Sequence, residues 1–285
     1  MPIPYATASA ALYHPELDPP LDPALFAGNA DALCAQLSRL AYWDFERDPA
    51  PLNAVLAALG LGPLASFTDR SVGTQAFATR NAAGDTWLVF RGTQPDEIQD
   101  ILHDGDALPV AWCGEGRVHR GFAEAWAGDV QDNGVRQQVI DWLDANPPAQ
   151  LTVTGHSLGA ALATLCAAEH VAARLVTFGS PRVGDAGFAA LFAERPVRRY
   201  VDCCDLVTTL PPPLSYEHCG ALCYIDRDGT LLAVAPDEPT IAADRAVATL
   251  DYLPLAIRWR NVRLRALADH APLNYISGVL GLRAR

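Results

Sequence analysis

Apolar residues recur along this chain in two distinct periods, and the switches between them mark its elements. Over residues 29–44, Leu33, Leu37, Leu40 and Ala41 share one face of a 3.6-residue repeat, which predicts an amphipathic helix. Residues 51–59 predict a second, short helix closed by Gly60. Residues 74–79 predict a strand, and the near-continuous apolar run 86–90 predicts one covered on both faces. The turn at 81–84 joins them as a hairpin. Phe122, Trp126, Val130, Val139, Trp142 and Leu143 predict one long helix over 121–146, ended by Pro147-Pro148. Strands at 151–154, 175–178 and 197–201 then alternate with helices at 158–172 and 185–194. A hairpin of 221–225 with 231–234 follows, and then helical material at 241–253 and 255–268. The alternation predicts a single α/β domain built on one mostly parallel sheet flanked by helices, without repeats or a separating linker. A proline-rich, irregular lead-in occupies residues 1–29.

The densest local signal is Thr152-Val153-Thr154-Gly155-His156-Ser157-Leu158-Gly159-Ala160-Ala161. A β-branched run stops at Gly155, and a run of helix formers begins after Gly159. This predicts a strand, a sharp turn and a helix, with Ser157 at the apex. Two flanking glycines suit a strained turn in which side chains would strike neighbouring backbone. The Ser157 hydroxyl would stand clear of the sheet beside the Leu158 N–H and a helix N-terminus. Serine is a weak nucleophile at neutral pH, so such a hydroxyl requires a base.

Composition narrows the alternatives. The 285 residues are 50% hydrophobic, enough for a sizeable core without disulfide staples. A net charge of −12 argues against nucleic-acid binding and against electrostatic attraction to anionic membranes. No run of apolar residues is long enough to span a bilayer. Residues 1–23 lack the basic and apolar regions of a secretory signal, so a cytoplasmic location is the default expectation, with export by a route that leaves the chain uncut as the alternative. Seven cysteines with no evident pairing suggest free, mostly buried thiols. His218, Cys219 and Cys223 lack a fourth ligand at suitable spacing, and no metal or organic cofactor is expected.

Three histidines follow Ser157. His170 lies turns away on the same helix, which leaves His218 and His270. Asp205 follows the strand 197–201 and suits an acid that orients the base, with Asp202 its competitor and Glu217 and Asp251 weaker rivals. His156 and His119 read as packing or bracing residues. The stretch 94–117 combines charge with Ile98, Ile101, Leu102, Leu108, Val110 and Trp112, the pattern of a lid with its own amphipathic piece.

Six segments appear in order: Phe90-Arg91-Gly92-Thr93; Val118-His119 leading to Gly121-Phe122; Thr154-Gly155-His156-Ser157-Leu158-Gly159; Thr177 through Asp185; Asp205-Leu206-Val207 leading to Leu210-Pro211-Pro212; and Asp269-His270 followed by Tyr275. Together they resemble the motif series of the class 3 lipase family, whose members include the filamentous-fungal triacylglycerol lipases. The resemblance implies the α/β-hydrolase fold, with Ser157 as nucleophile, Asp205 as acid and His270 as base. It also implies Thr93 and Leu158 as oxyanion-hole donors and 94–117 as the lid. The expected activity is carboxylic-ester hydrolysis on acylglycerols at a lipid–water interface, by a monomer. Phospholipase A1, a soluble-ester esterase, a membrane-targeting effector and a non-catalytic lipid- or partner-binding protein are the alternatives, because fold and triad do not fix the leaving group.

Overall fold

The apolar runs become strands of one sheet because most are shielded on both faces. The computed structural model describes residues 2–93, 108–112, 115–128 and 133–284. Its strands are β1 (Ile3–Pro4), β2 (Ala65–Asp69), β3 (Thr74–Arg80), β4 (Thr86–Phe90), β5 (Pro109–Ala111), β6 (Arg117–His119), β7 (Leu151–His156), β8 (Arg174–Phe178), β9 (Val197–Asp202), β10 (Ala221–Ile225) and β11 (Arg283–Ala284). Seven of them form a sheet in the order β10-β9-β8-β7-β4-β3-β2. From β10 to β4 all neighbours are parallel, while β3 and β2 run antiparallel at one edge.

Alternate residues feed two layers. On one face, Val153 and Leu175 pack with Phe90, Trp126 and the helix Leu158–Glu169. On the other, Val176 and Phe178 pack with the helices Ala30–Leu40 and Pro272–Val279. The Leu158–Glu169 helix is apolar all round and buried from Gly159 to Ala167, as a helix sandwiched between a sheet and further helices must be.

Several expectations change. The helix predicted over 121–146 is two, Arg120–Ala127 and Val135–Ala145, with Gly128 at φ +65° and Gly134 between them. The marker Val130 lies outside the described residues. Ala221–Ile225 is no hairpin arm: it joins β9 in parallel, and one bridge, Ile225 to Leu231, marks the return. The helix predicted over 185–194 shortens to Ala186–Ala190, capped by Asp185, whose carboxylate accepts the Phe188 N–H at 3.0 Å. Within 255–268 the separate helix is Arg265–Ala268. The lead-in contains a helix, Ser9–Tyr13, and β1 ties it to β11 at the other end of the chain.

Ile98, Ile101 and Leu102 of the expected lid fall in 94–107, outside the described residues. Leu108, Val110 and Trp112 are described. β5 pairs antiparallel with β6, and the buried Trp112 ring meets Phe188 edge-on at 6.1 Å. Trp112 is therefore a core residue rather than one available to lipid.

Candidate active site

The parallel strands place their carboxyl ends on one edge, where β4, β7, β8 and β9 deliver Arg91, Ser157, Gly179 and the segment after Asp202. Ser157 sits at φ 60°, ψ −128°, a conformation that costs a non-glycine residue about 1–3 kcal/mol. Its N–H donates to Phe178 O at 3.0 Å, which helps hold the turn. A Cβ on Gly155 would strike the Gly159 backbone, and one on Gly159 would strike Phe90 and Arg91. The two glycines thus let the helix start directly against β4.

The Ser157 Oγ–H faces His270 Nε2 at 2.9 Å. On the other side of the ring, Nδ1 lies 2.8 Å from Asp205 Oδ2. Ser157, His270 and Asp205 are 1%, 2% and 0% exposed. Asp205 also accepts the Val207 N–H at 2.9 Å and the Tyr275 hydroxyl, so its carboxylate is fixed in the direction of the imidazole. A Cβ on Gly179 (φ +60°) would come within 2.9 Å of Asp205 Oδ2 and 3.1 Å of the His270 ring, so that β-strand end must be glycine.

Asp202, the competitor, is occupied elsewhere. Its carboxylate pairs with Arg283, whose Nη1 lies 3.1 Å from Oδ1. Glu217 and Asp251 are exposed. His218 donates from Nε2 to Thr208 O at 2.8 Å and stays out of the chain of contacts. His119 stacks on Phe122 at 4.4 Å and fills space. His170 caps the end of the Leu158–Glu169 helix and is half-buried.

His156 acts through the base. Its Nε2–H donates to His270 O at 2.8 Å, and Tyr42 donates its hydroxyl to Nδ1 at 2.8 Å. The bond from Tyr42 needs a neutral ring with a free Nδ1 lone pair, and burial together with the His270 ring holds His156 well below the ordinary histidine value. Tyr42 had given no signal in the sequence, since it lies 114 residues from its partner.

Cys203 and Cys204 form the middle of a turn closed by the Asp205 N–H donating to Asp202 O at 2.7 Å. Their small side chains fit among Val201, Tyr224, Ile241 and Ala248. Cys203, Cys204 and Asp269 gather their ligand-type atoms. Asp269 is already engaged, by the Tyr5 hydroxyl at 2.5 Å, the Cys204 N–H at 2.9 Å and Arg265 Nε at 3.2 Å.

Thr93 and Leu158 are half-buried. Leu158 N–H is the first of the helix, one of the donors that a helix leaves without an internal acceptor. Thr93 lies three residues beyond the end of β4, whose last residue pairs with Gly155. Gly159 packs on the Phe90 and Arg91 backbone, so both segments meet beside Ser157.

This geometry has matches. The sequence profile described as Lipase (class 3) fits residues 87–215. Over those residues the chain is similar to the class 3 lipase family. Among class 3 lipases and their kin, the chain is similar to a lipase from Rhizomucor miehei, 35% identical over 162 residues, 52% of this chain and 44% of that protein. It is likewise similar to phospholipase A1-II 4 of Oryza sativa subsp. japonica, 35% identical over 188 residues, 55% of this chain and 47% of that one. A solved triacylglycerol lipase described as having a serine-protease triad superposes with a TM-score of 0.58 at 28% identity, covering 69% of this chain and 79% of that one. The chain spans about half the length of the curated relatives it matches. The fold shared with these structures is the α/β-hydrolase fold.

The buried neutral histidines make stability pH-dependent. His218 is pushed down to about 2 by burial and by Arg199 and Arg182, and His156 is also strongly lowered. In the unfolded chain both rings take up a proton near pH 6.5, while the folded chain refuses it. Below that pH the unfolded state binds more protons, so stability is full above about 6.5 and falls as pH drops. Two such rings give a slope approaching about 2.7 kcal/mol per pH unit. Urea midpoints at pH 7.5, 6.5 and 5.5 for the unaltered protein and for His218→Gln isolate one ring, and the difference between their slopes is expected to approach about 1.4 kcal/mol per pH unit below pH 6.5.

Proposed function

We propose that this chain is a serine carboxylic-ester hydrolase whose substrates are acylglycerols. The hydrogen-bonded series Ser157–His270–Asp205 carries the reading. In this mechanism His270 Nε2 takes the Ser157 proton as Oγ attacks the ester carbonyl, and Asp205 keeps the ring in the tautomer with the proton on Nδ1. The N–H groups of Leu158 and Thr93 receive the oxyanion, each worth about 2.7–4 kcal/mol in the barrier. His270 then protonates the leaving alcohol, and a water activated by the same ring releases the acid. One chain supplies every group named, which fits a monomer.

Ser157 is 1% exposed, so substrate entry requires a rearrangement at the mouth of the site. Such a step suits esters taken from a lipid–water interface. The similarity to a triacylglycerol lipase structure over most of that chain favours acylglycerols, and the similarity to a phospholipase A1 supports that activity as the second reading.

A substrate panel decides between them. Emulsified tributyrin is expected to be hydrolysed faster than phosphatidylcholine, with a soluble nitrophenyl ester turned over as well. The reverse ranking makes the protein a phospholipase A1. Absence of acid release from every substrate, together with no labelling by a fluorophosphonate, would leave a non-catalytic lipid binder.

A further inference from the structure

The helix Glu238–Ala256 is apolar on two faces. Ile241, Ala248 and Tyr252 pack inward, while Val247, Leu250 and Leu253 face solvent. The segment that follows continues the exposed side with Ile257 (79% exposed), Trp259 (88%) and Leu264. Contiguous exposed apolar residues of this size mark an interaction surface rather than ordinary scatter.

Charge says what kind of surface it meets. The chain carries −12 overall, yet residues 245–268 contain five arginines and a single acid, Asp251. Arg245 and Arg265 turn inward, donating to Cys203 O at 2.7 Å and to Asp269 at 3.2 Å. Arg258, Arg260 and Arg263 are exposed, interleaved with Ile257, Trp259 and Leu264. A shallow groove between Ser9 and this loop is lined by Trp259 and the same three arginines. The net charge, which argues against electrostatic attraction to anionic membranes, is thus reversed in sign locally.

The loop is held. The Ser9 N–H donates to Arg260 O at 2.7 Å, the Val262 N–H to Thr7 O at 2.9 Å, and the Tyr252 hydroxyl to Val262 O at 2.9 Å. Trp259 is therefore presented to solvent by a braced segment. The patch also adjoins the triad: the exposed Leu206 follows Asp205, and its N–H donates to Ala266 O, two residues past Leu264, at 3.1 Å.

We infer that residues 257–264 dock the protein on an anionic lipid surface. Ile257, Trp259 and Leu264 enter the boundary between headgroups and acyl chains, and Arg258, Arg260 and Arg263 meet lipid phosphates. An aromatic anchor flanked by arginines is the composition that such a boundary selects. The inference rests on the ester-hydrolase reading for its purpose, since it would hold the triad against a film of substrate.

Cosedimentation of the Ser157→Ala protein with phosphatidylcholine vesicles, with and without phosphatidylserine, tests it without consuming lipid. Binding is expected with phosphatidylserine and weakly without, and about 1 M salt should abolish the difference. Changing Arg258, Arg260 and Arg263 to Gln should lower affinity for the anionic vesicles about a hundredfold. Ile257→Ser with Trp259→Ser should remove binding to both vesicles. In the Ser157-intact background, both variants should turn over a soluble nitrophenyl ester at the unaltered rate. Equal binding to both vesicles, unchanged binding in the variants, or a solution dimer abolished by Trp259→Ser would overturn the inference. Vesicle binding without soluble-ester turnover would defeat the hydrolase reading alone, and turnover without vesicle binding the docking inference alone.

Discussion

Ser157→Ala is expected to lower kcat on a soluble nitrophenyl ester on the order of a millionfold. The substitution deletes the one atom that faces His270 Nε2, so the base has no proton to take and the ester no oxygen to receive it. What survives is binding and whatever the Leu158 and Thr93 N–H groups do for a directly attacking water. Folding should be little altered. The bond that secures the turn is made by the Ser157 N–H to Phe178 O, which alanine keeps, and alanine at φ 60° is strained as serine is. Steady-state kinetics beside a thermal melt separates the two effects. Turnover within tenfold of the unaltered protein, with the melt unchanged, would dismiss Ser157 as nucleophile.

Legibility in the sequence followed the range of the interactions. The strand–turn–helix at Ser157 was readable because β7, the turn and the helix are consecutive, and each glycine acts on backbone within or directly beside that unit. His270 and Asp205 were reachable by chain order and by resemblance, since no periodicity reports a contact across 113 residues. The Tyr42–His156–His270 relay is equally remote and left no local trace. Failures had specific causes. The apolar markers over 121–146 persist through a break because both helices pack into the same core layer, while Gly128 and Gly134 lie in the break. The turn residues 226–229 made Ala221–Ile225 read as a hairpin arm, but the open edge of β9 captured it. β1 and β11 are too short for any pattern and exist only through each other. Net charge concealed a basic patch because an average has no position.

The two carboxylates near the end of β9 should separate cleanly when each is made an amide. Asp205 Oδ2 takes the His270 Nδ1–H and the Tyr275 hydroxyl, and Oδ1 takes the Val207 N–H. Asparagine has one acceptor oxygen, so it cannot satisfy all three donors. With its NH2 group toward the ring it stabilises the wrong tautomer, and it offers no charge to the imidazolium that forms during attack. The expected loss in kcat for Asp205→Asn is about 10⁴-fold. Asp202 pairs instead with the buried Arg283 and touches none of the reacting groups. Asp202→Asn leaves that guanidinium short of its counter-charge, which typically costs about 3–5 kcal/mol of stability, or roughly 10 °C in Tm. The comparison belongs at pH 8, above the value of about 7 to which burial pushes the Asp202 carboxyl against the pull of Arg283. At that pH Asp205→Asn should be the slow variant and Asp202→Asn the unstable one with kcat preserved. If Asp202→Asn loses kcat instead, the acid that steers the base has been misassigned, and the geometry at His270 Nδ1 must change when substrate binds.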